Sequence, residues 1–141
     1  MKSNELANPV RSGLIQFTEM GDIRGSLVAM ESGKNIPFEL KRVYFIYNTK
    51  PDRPRGFHAM RNSYQVMVCL AGSVDVLLDD SYEKISYQLN SKDKGLFIDK
   101  MIWHEMHNFS EDCVLMVLSD AYYEEYDNLG DYEEFLKLVK N

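Results

Sequence analysis

Short apolar segments separated by turn-forming residues recur along most of the chain, and this pattern constrains the fold more than any other feature of the sequence. Val, Ile, Tyr and Phe dominate several segments, and 74–76 and 85–87 alternate apolar and polar residues as half-buried strands do. Spacings of about ten residues between turns are typical of antiparallel sandwiches and barrels. The pattern predicts strands at 25–31, 42–48, 64–70, 73–79, 82–89, 95–98 and 113–118.

The period changes near the C-terminus, where apolar side chains recur at helical spacing at Tyr132, Phe135, Leu136 and Val139. Asp131 precedes them, and Glu134 follows three residues later, which approximates the pair of side chains that caps helix N-termini. A second short helix is predicted at 121–126. We interpret four aromatic residues as helix-packing side chains, namely Tyr122, Tyr123, Tyr126 and Tyr132. The sequence therefore predicts an all-β barrel with short C-terminal helices.

Length and charge restrict the classes of partner. A chain of 141 residues accommodates one ordinary core, so a single domain over 1–141 is expected. The net charge of −6 argues against a general binder of nucleic acid or of anionic membranes, because phosphate affinity requires clustered Lys and Arg. One small anionic ligand held by a local group of arginines remains compatible with this charge.

The sequence also indicates the compartment. No apolar run is long enough to span a bilayer, and the first ten residues lack the cationic and apolar blocks of a signal peptide. Cys69 and Cys113 each lie in an apolar run, without the CxxC spacing of metal or redox sites. We expect a cytoplasmic protein with buried, reduced thiols.

The segment 56–72 has the spacing of the first metal-binding motif of the cupin superfamily, which brings histidines and a glutamate into the mouth of a barrel. The four ligand positions, including one from the second cupin motif, read His58, Met60, Gln65 and His104. A thioether and a neutral amide are poor ligands for zinc or hard divalent ions, so we expect no metal and no other cofactor. Strand alternation points His58 and Met60 into the cavity. Proton transfer by an imidazole is the chemistry that such a cavity supports best.

Several segments, in their order and spacing, resemble the sugar-nucleotide 3,4-ketoisomerases, metal-free cupins that act on dTDP-4-keto-6-deoxyglucose. The matching segments are 24–27, 41–44, 55–59, 65–70, 72–73, 78–80, 103–107 and 113–118. The resemblance implies a cupin jelly-roll barrel and a homodimer that exchanges N-terminal strands. It also implies a dTDP-linked 4-keto-6-deoxyhexose as substrate, a 3-keto isomer as product, and a place in 3-amino deoxysugar biosynthesis.

Two residues are the predicted catalytic groups. His58 is the candidate base at C3, and it falls on the first of two histidines in the family's H-A-H segment. The second of these histidines is replaced by Met60, which cannot exchange protons usefully. Tyr44 matches a tyrosine of the family's site, and its hydroxyl is expected to stabilise the developing oxyanion.

The remaining candidate residues, together with Met60, are expected to bind the substrate. Arg42 and Arg55 would hold its diphosphate, because arginine grips phosphate bidentately. Gln65 would contact a polar group of the sugar or base. Arg24 and His104 resemble the residues of family members whose product is dTDP-3-keto-6-deoxy-D-galactose rather than its glucose-configured epimer.

Three alternatives from the sequence stay open. The loss of the second histidine is also compatible with a sugar-nucleotide-binding cupin that has no activity. A dTDP-sugar 3,5-epimerase would begin with the same proton abstraction at C3. A metal-dependent cupin oxygenase is the third alternative.

Overall fold

The computed structural model describes residues 12–140 of the chain, which fold into strands followed by one helix. The elements in chain order are β1 (Gly13–Gln16), β2 (Glu19–Asp22), β3 (Gly25–Val28), β4 (Arg42–Ile46), β5 (Arg55–Met60), β6 (Gln65–Ala71), β7 (Val74–Asp79), β8 (Lys84–Leu89), β9 (Lys94–Ile98), β10 (Trp103–His107), β11 (Val114–Ser119), β12 (Asn128–Leu129) and α1 (Tyr132–Lys140). The predicted all-β fold is confirmed.

Two five-stranded antiparallel sheets form the body of the protein. The first has the order β1-β9-β6-β11-β4, and the second has the order β12-β5-β10-β7-β8. Strands β2 and β3 form a separate hairpin. Neighbours in the sheets are mostly distant in sequence, as is usual when an antiparallel chain winds back and forth between two layers.

The main core lies between the two sheets, because alternate residues of each strand point inward. In β7 the inward side chains are Val74 and Val76, and they pack with Met67 of β6 and with Leu115 and Val117 of β11. Each such aliphatic side chain contributes about 2 kcal/mol through its removal from water. Cys69 and Cys113 belong to the same core as free thiols, so their predicted burial is confirmed.

The C-terminal helix is confirmed, and its packing follows the predicted period. The Asp131 carboxylate accepts hydrogen bonds from the backbone N–H groups of Glu133 and Glu134 at the start of α1. Phe135 is fully buried in a small cluster with Trp103 and Leu129. No helix within residues 12–140 has the length and apolar character needed to cross a membrane.

The second predicted helix, at 121–126, is wrong. The chain is irregular there and forms only a short 3₁₀ turn at Glu125–Asp127. The cause lies outside the segment: the buried carboxylate of Asp127 accepts hydrogen bonds from the Asn62 N–H at 2.5 Å and from the Ser63 hydroxyl at 2.6 Å. These bonds tie the segment to the turn before β6, and the chain continues as β12 along β5 rather than as a helix.

Candidate active site

A cavity of about 390 Å³ opens between β4, β5 and the segment that follows β11. Its lining residues are Arg42, Val43, Tyr44, His58, Met60, Tyr123, Glu124 and Asn128. A separate cleft of about 260 Å³ has Asp80, Glu83 and Asp99 as its charged lining residues, so it would repel an anionic ligand. The cavity between β4 and β5 contains His58 and Tyr44, which suit proton transfer, and Arg42, which suits anion binding. It is the candidate active site.

The alternation of β4 places two of these groups in the cavity. Arg42 and Tyr44 point inward, while Val43 and Phe45 are about half exposed on the opposite face. The guanidinium of Arg42 lies 5.0 Å from the ring centre of Tyr44 and 5.6 Å from that of Tyr123. Arg42 forms no ion pair with another described residue, so its charge is available to a ligand.

A kink at the start of β5 directs His58 into the cavity. Gly56 has a positive φ of 89°, and a Cβ at this position would lie 3.0 Å from the backbone oxygen of His104. The pairing of β5 with β10 shifts register at this point, between His104 and Glu105. As predicted, His58 and Met60 then lie on the same wall of the cavity. A larger residue at Gly56 would disturb the strand that carries the candidate base.

His58 is a neutral imidazole at pH 7. Burial lowers its pKa below the ordinary 6.5, and the positive charge of Arg55 lowers the pKa further. The ring contacts the His104 ring edge-on, with 4.7 Å between the two ring centres. A neutral imidazole that faces a cavity has a lone pair ready to accept a proton, which is the property required of a general base.

His104 supports His58 from inside the barrel. It is fully buried, and burial together with the charge of His58 lowers its pKa to about 3. Its Nδ1 lies 3.2 Å from the carbonyl oxygen of Ile102, which can only accept, so Nδ1 carries the hydrogen. The Nε2 atom is then a buried acceptor without a partner among the described residues. His104 therefore contributes an uncharged acceptor behind the candidate base.

Tyr44 is a hydrogen-bond donor in the same cavity. The amide Nε2 of Gln65 donates to the Tyr44 hydroxyl oxygen at 3.3 Å, which leaves the hydroxyl proton free to point at a ligand. Burial raises the pKa of Tyr44 above its usual value, against smaller opposite effects of Arg42, the Gln65 bond and Arg55. The hydroxyl consequently stays protonated at neutral pH and suits the stabilisation of a developing oxyanion.

The structure unites most of the predicted site residues but separates one of them. Arg55 lies exposed at the start of β5, close enough to influence the pKa of both His58 and Tyr44. Arg24 lies in the turn between β2 and β3, with its side chain 86% exposed and paired with Asp22. It does not line the cavity of its own chain. Its predicted role at the substrate therefore stays a prediction.

Apart from Val43 of β4, three lining residues were not predicted as part of the site: Tyr123, Glu124 and Asn128. The interpretation of Tyr123 as a helix-packing residue is wrong, because its ring covers Arg42 in the cavity wall. Asn128 reaches the site through the pairing of β12 with β5, in which it lies opposite Met60. No local period marks these residues, since the contacts that bring them to the cavity join distant parts of the chain.

The cupin metal positions contain few good metal ligands. His58 and His104 are neighbours, but Met60 and Gln65 occupy the other two positions with a thioether and an amide. Within residues 12–140 there is no cluster of three or more His, Cys, Asp or Glu side chains arranged to hold a metal ion.

The lowered pKa of His58 predicts the pH dependence of catalysis. Because the base form exists above this pKa, kcat/KM should be flat at pH 7 and should fall only when the pH drops through a value below 6.5. Replacing Arg55 with Met removes a nearby positive charge, which should raise this pKa and move the acid limb upward. A pH–rate profile measures the shift, and Arg53→Met is the matched control. If the acid side of the pH–rate profile does not move in Arg55→Met, Arg55 does not lower the pKa of His58 as assigned.

A barrel mouth that combines a neutral histidine, a protonated tyrosine and an unpaired arginine is chemically suited to proton transfer on an anionic ligand. Residues 10–140 match the protein-family model described as "FdtA: WxcM-like, C-terminal". The chain belongs to this family.

Individual relatives agree with this assignment. A TDP-4-oxo-6-deoxy-alpha-D-glucose-3,4-oxoisomerase from Aneurinibacillus thermoaerophilus is 50% identical over 126 residues, which cover 89% of this chain and 91% of the relative. A 3,4-ketoisomerase from Helicobacter canadensis has a similar structure, with a TM-score of 0.90, 45% identity and coverage of 92% of this chain and 98% of that chain. QdtA, a 3,4-ketoisomerase from Thermoanaerobacterium thermosaccharolyticum, was crystallised as a mutant with TDP-4-keto-6-deoxyglucose; its TM-score is 0.90, with 37% identity and coverage of 92% and 94%.

Proposed function

We propose that this chain is an isomerase that converts TDP-4-keto-6-deoxy-D-glucose into a TDP-3-keto-6-deoxyhexose. The observation that carries the proposal is the neutral His58 in a cavity that also contains the Tyr44 hydroxyl and an unpaired Arg42. The family membership and the activities named for the relatives support the same reaction. The resemblance of the sequence predicts the same function, and the imidazole, phenol and guanidinium in the cavity suit proton transfer on an anionic sugar.

The reaction moves a carbonyl from C4 to C3 by way of an enediolate. His58 takes the hydrogen of C3 as a proton, which is acidic because the adjacent C4 ketone accepts the electron pair. Tyr44 donates a hydrogen bond to the developing negative charge on O4, an interaction that contributes about 3 kcal/mol when it is well aimed. The imidazolium of His58 exchanges its proton with solvent and then protonates C4. The reaction consumes no oxidant or reductant, because one carbon is oxidised as its neighbour is reduced.

Arg42 and Arg55 are the proposed partners of the diphosphate. Arg42 lies in the cavity wall without an ion pair, and Arg55 is exposed at the start of β5. The net charge of −6 means that an anionic substrate depends on such local cations rather than on the overall field of the protein. Gln65 has a buried side-chain carbonyl oxygen that finds no partner among residues 12–140, and we assign it to a polar group of the substrate.

The configuration at C4 of the product is set by the face on which the proton returns. We assign Arg24 and His104 to this choice and propose the galactose-configured product, with its glucose-configured epimer as the alternative. His104 supports the assignment through its position beside His58, because it orients the ring that delivers the proton. Arg24 lies outside the cavity of its own chain and would reach a site only in a neighbouring subunit.

NMR of the product formed from TDP-4-keto-6-deoxyglucose in D₂O tests the proposed function. The expected product has its carbonyl at C3 and deuterium at C4. Tight nucleotide binding without a product would instead indicate the sugar-nucleotide binder without activity. Deuterium at C5 would indicate the 3,5-epimerase.

We also propose that the enzyme works as a homodimer. Val43 and Phe45 of β4, with Tyr47 directly after this strand, form an exposed apolar stripe, and β4 is an edge strand of its sheet within the described residues. Such a stripe with an open strand edge is costly to leave in water and suits a second copy of the chain. The predicted exchange of N-terminal strands concerns a region whose first part, residues 1–11, lies outside the described residues.

A charge on the apolar stripe should separate the subunits. Phe45→Glu places a carboxylate at its centre, so we expect light scattering after size exclusion to give half the mass of the unsubstituted protein. Tyr82→Glu is the matched control, since Tyr82 is another exposed aromatic residue, outside β4, and is 79% exposed against 59% for Phe45. A dimer of full stability in Phe45→Glu would contradict the assigned interface.

A further inference from the structure

The cavity contains an ionisable side chain that the mechanism above leaves unused. We propose that Glu124 is a further catalytic residue, which carries the hydroxyl proton of the sugar from O3 to O4. This inference rests on the proposed function, because it concerns a second proton of the same reaction. Glu124 is one of the lining residues that the sequence analysis missed.

The turn that follows Glu124 holds its backbone at the cavity. Its own conformation is extended, with φ −144° and ψ 115°, and its carbonyl oxygen accepts a hydrogen bond from the Asp127 N–H at 3.0 Å. Asp127 is buried and bonded to Asn62 and Ser63, so the turn that follows Glu124 is fixed to the barrel. The position of Glu124 beside the cavity is therefore set by buried contacts, although the residue itself is exposed.

The carboxylate of Glu124 has no hydrogen bond or ion pair with any other described residue. Arg42 lines the same cavity, yet the two charges are not in contact, so neither neutralises the other. A carboxylate held only by its backbone is free to accept a hydrogen bond from a bound sugar hydroxyl. No structural role competes for it.

The other lining groups are unsuited to this second transfer. The guanidinium of Arg42 has no acceptor atom, and burial raises the pKa of Tyr44, so its hydroxyl keeps its proton near neutral pH. Met60 and Asn128 carry a thioether and an amide, which do not titrate. His58 already carries out the proton transfers at C3 and C4. Glu124 is the lining group that carries a carboxylate, whose two oxygens can accept a proton from one hydroxyl and donate it to another.

The proton count of the reaction requires such a group. After His58 has removed the C3 proton, the enediolate holds a proton on O3 and a negative charge on O4. Formation of the C3 carbonyl requires loss of the O3 proton, and the new C4 hydroxyl requires a proton on O4. Glu124 accepts the first on one carboxylate oxygen and delivers it from the other, so the carboxylate is regenerated. The O–H bond at O3 breaks, one at O4 forms, and nothing is consumed.

The inference also gives a reason why the chain tolerates Met60. A histidine at this position would project an imidazole from the same wall, opposite Asn128 of β12. This imidazole would be a second group able to carry a hydroxyl proton. If Glu124 has this task, a histidine at position 60 should matter little in the unsubstituted enzyme and much when the carboxylate is absent.

Glu124→Gln tests the proposal, with Glu125→Gln as the matched control from the adjacent residue that does not line the cavity. Two rates are measured by NMR in D₂O with TDP-4-keto-6-deoxyglucose: exchange of the C3 hydrogen for deuterium, and appearance of the 3-keto product. We expect product formation by Glu124→Gln to fall about 30-fold or more, within the range of general acid–base contributions, while C3 exchange stays within about threefold of the control. Adding Met60→His to Glu124→Gln should restore at least part of the product rate.

Two results would overturn the proposal. One is product formation by Glu124→Gln that equals that of Glu125→Gln. The other is a parallel loss of C3 exchange and product formation, since this would assign Glu124 to the first step or to the structure of the site. Failure of the proposed function is distinguishable from both, because the unsubstituted enzyme would then form no 3-keto product.

Discussion

Replacing His58 with asparagine is expected to reduce ketone transfer by about 10³-fold or more, because the variant lacks the general base that removes the C3 proton. Asparagine is polar and of similar width, so the β5 strand and its contact with His104 should persist. The affinity for TDP should change little, since the proposed diphosphate partners, Arg42 and Arg55, are retained. Product formation and C3 exchange are measured together, and both should be lost.

His107→Asn is the matched control for this variant. His107 lies on β10 and is paired with Glu105 at 2.8 Å, and it does not line the cavity. Its replacement should leave turnover unchanged. If His58→Asn kept most of the activity while His107→Asn did the same, the base would have to be sought elsewhere in the cavity, with His104 and Tyr44 as the next candidates.

Asp127→Ala should have the largest effect on stability among the residues that shape the site. It removes the carboxylate that accepts hydrogen bonds from the Asn62 N–H and the Ser63 hydroxyl, and it leaves the buried Ser63 hydroxyl without this acceptor. The expected loss in the free energy of unfolding is about 3 kcal/mol, as for other buried polar groups that lose a charged acceptor. Denaturant unfolding followed by fluorescence measures this loss.

Asp131→Ala provides the comparison, because Asp131 also accepts two backbone hydrogen bonds but does so at the exposed start of α1. Its replacement should cost about 1 kcal/mol, the usual value for loss of an N-cap. Asp127→Ala should in addition weaken substrate binding, since Tyr123, Glu124 and Asn128 depend on the same turn for their position. Equal effects of the two substitutions on stability would contradict the role assigned to Asp127.

Local pattern was sufficient for much of the fold. The alternation in β7 and the turns on either side of it identify a strand whatever lies next to it, because one face must be buried and the other solvated. The same holds for α1, whose apolar period and capping Asp131 are contained within ten residues. Among the strands that were not predicted, β1, β2 and β12 are at most four residues long, too short for a period to be recognised. The other two, β5 and β10, have six and five residues, and their histidines and charged residues interrupt the apolar pattern.

The same reasoning predicted only some of the residues that line the cavity. His58, Met60 and Tyr44 were identified because they lie on strands or in a spaced motif, and the structure brings all three to one cavity. Glu124 and Tyr123 belong to a segment that was predicted as a helix. Its conformation depends on Asp127, whose hydrogen-bond partners lie 65 and 64 positions away along the chain.

The one-dimensional order of residues thus defined an all-β protein with a terminal helix and an imidazole in its barrel, because side-chain periodicity and turn chemistry act over a few neighbours. The tertiary structure determined that Glu124 lines the same cavity as His58. It also placed Arg24 outside the cavity of its own chain. Contacts of this kind depend on how the two sheets and the C-terminal segment pack together, and packing joins residues that no local pattern relates.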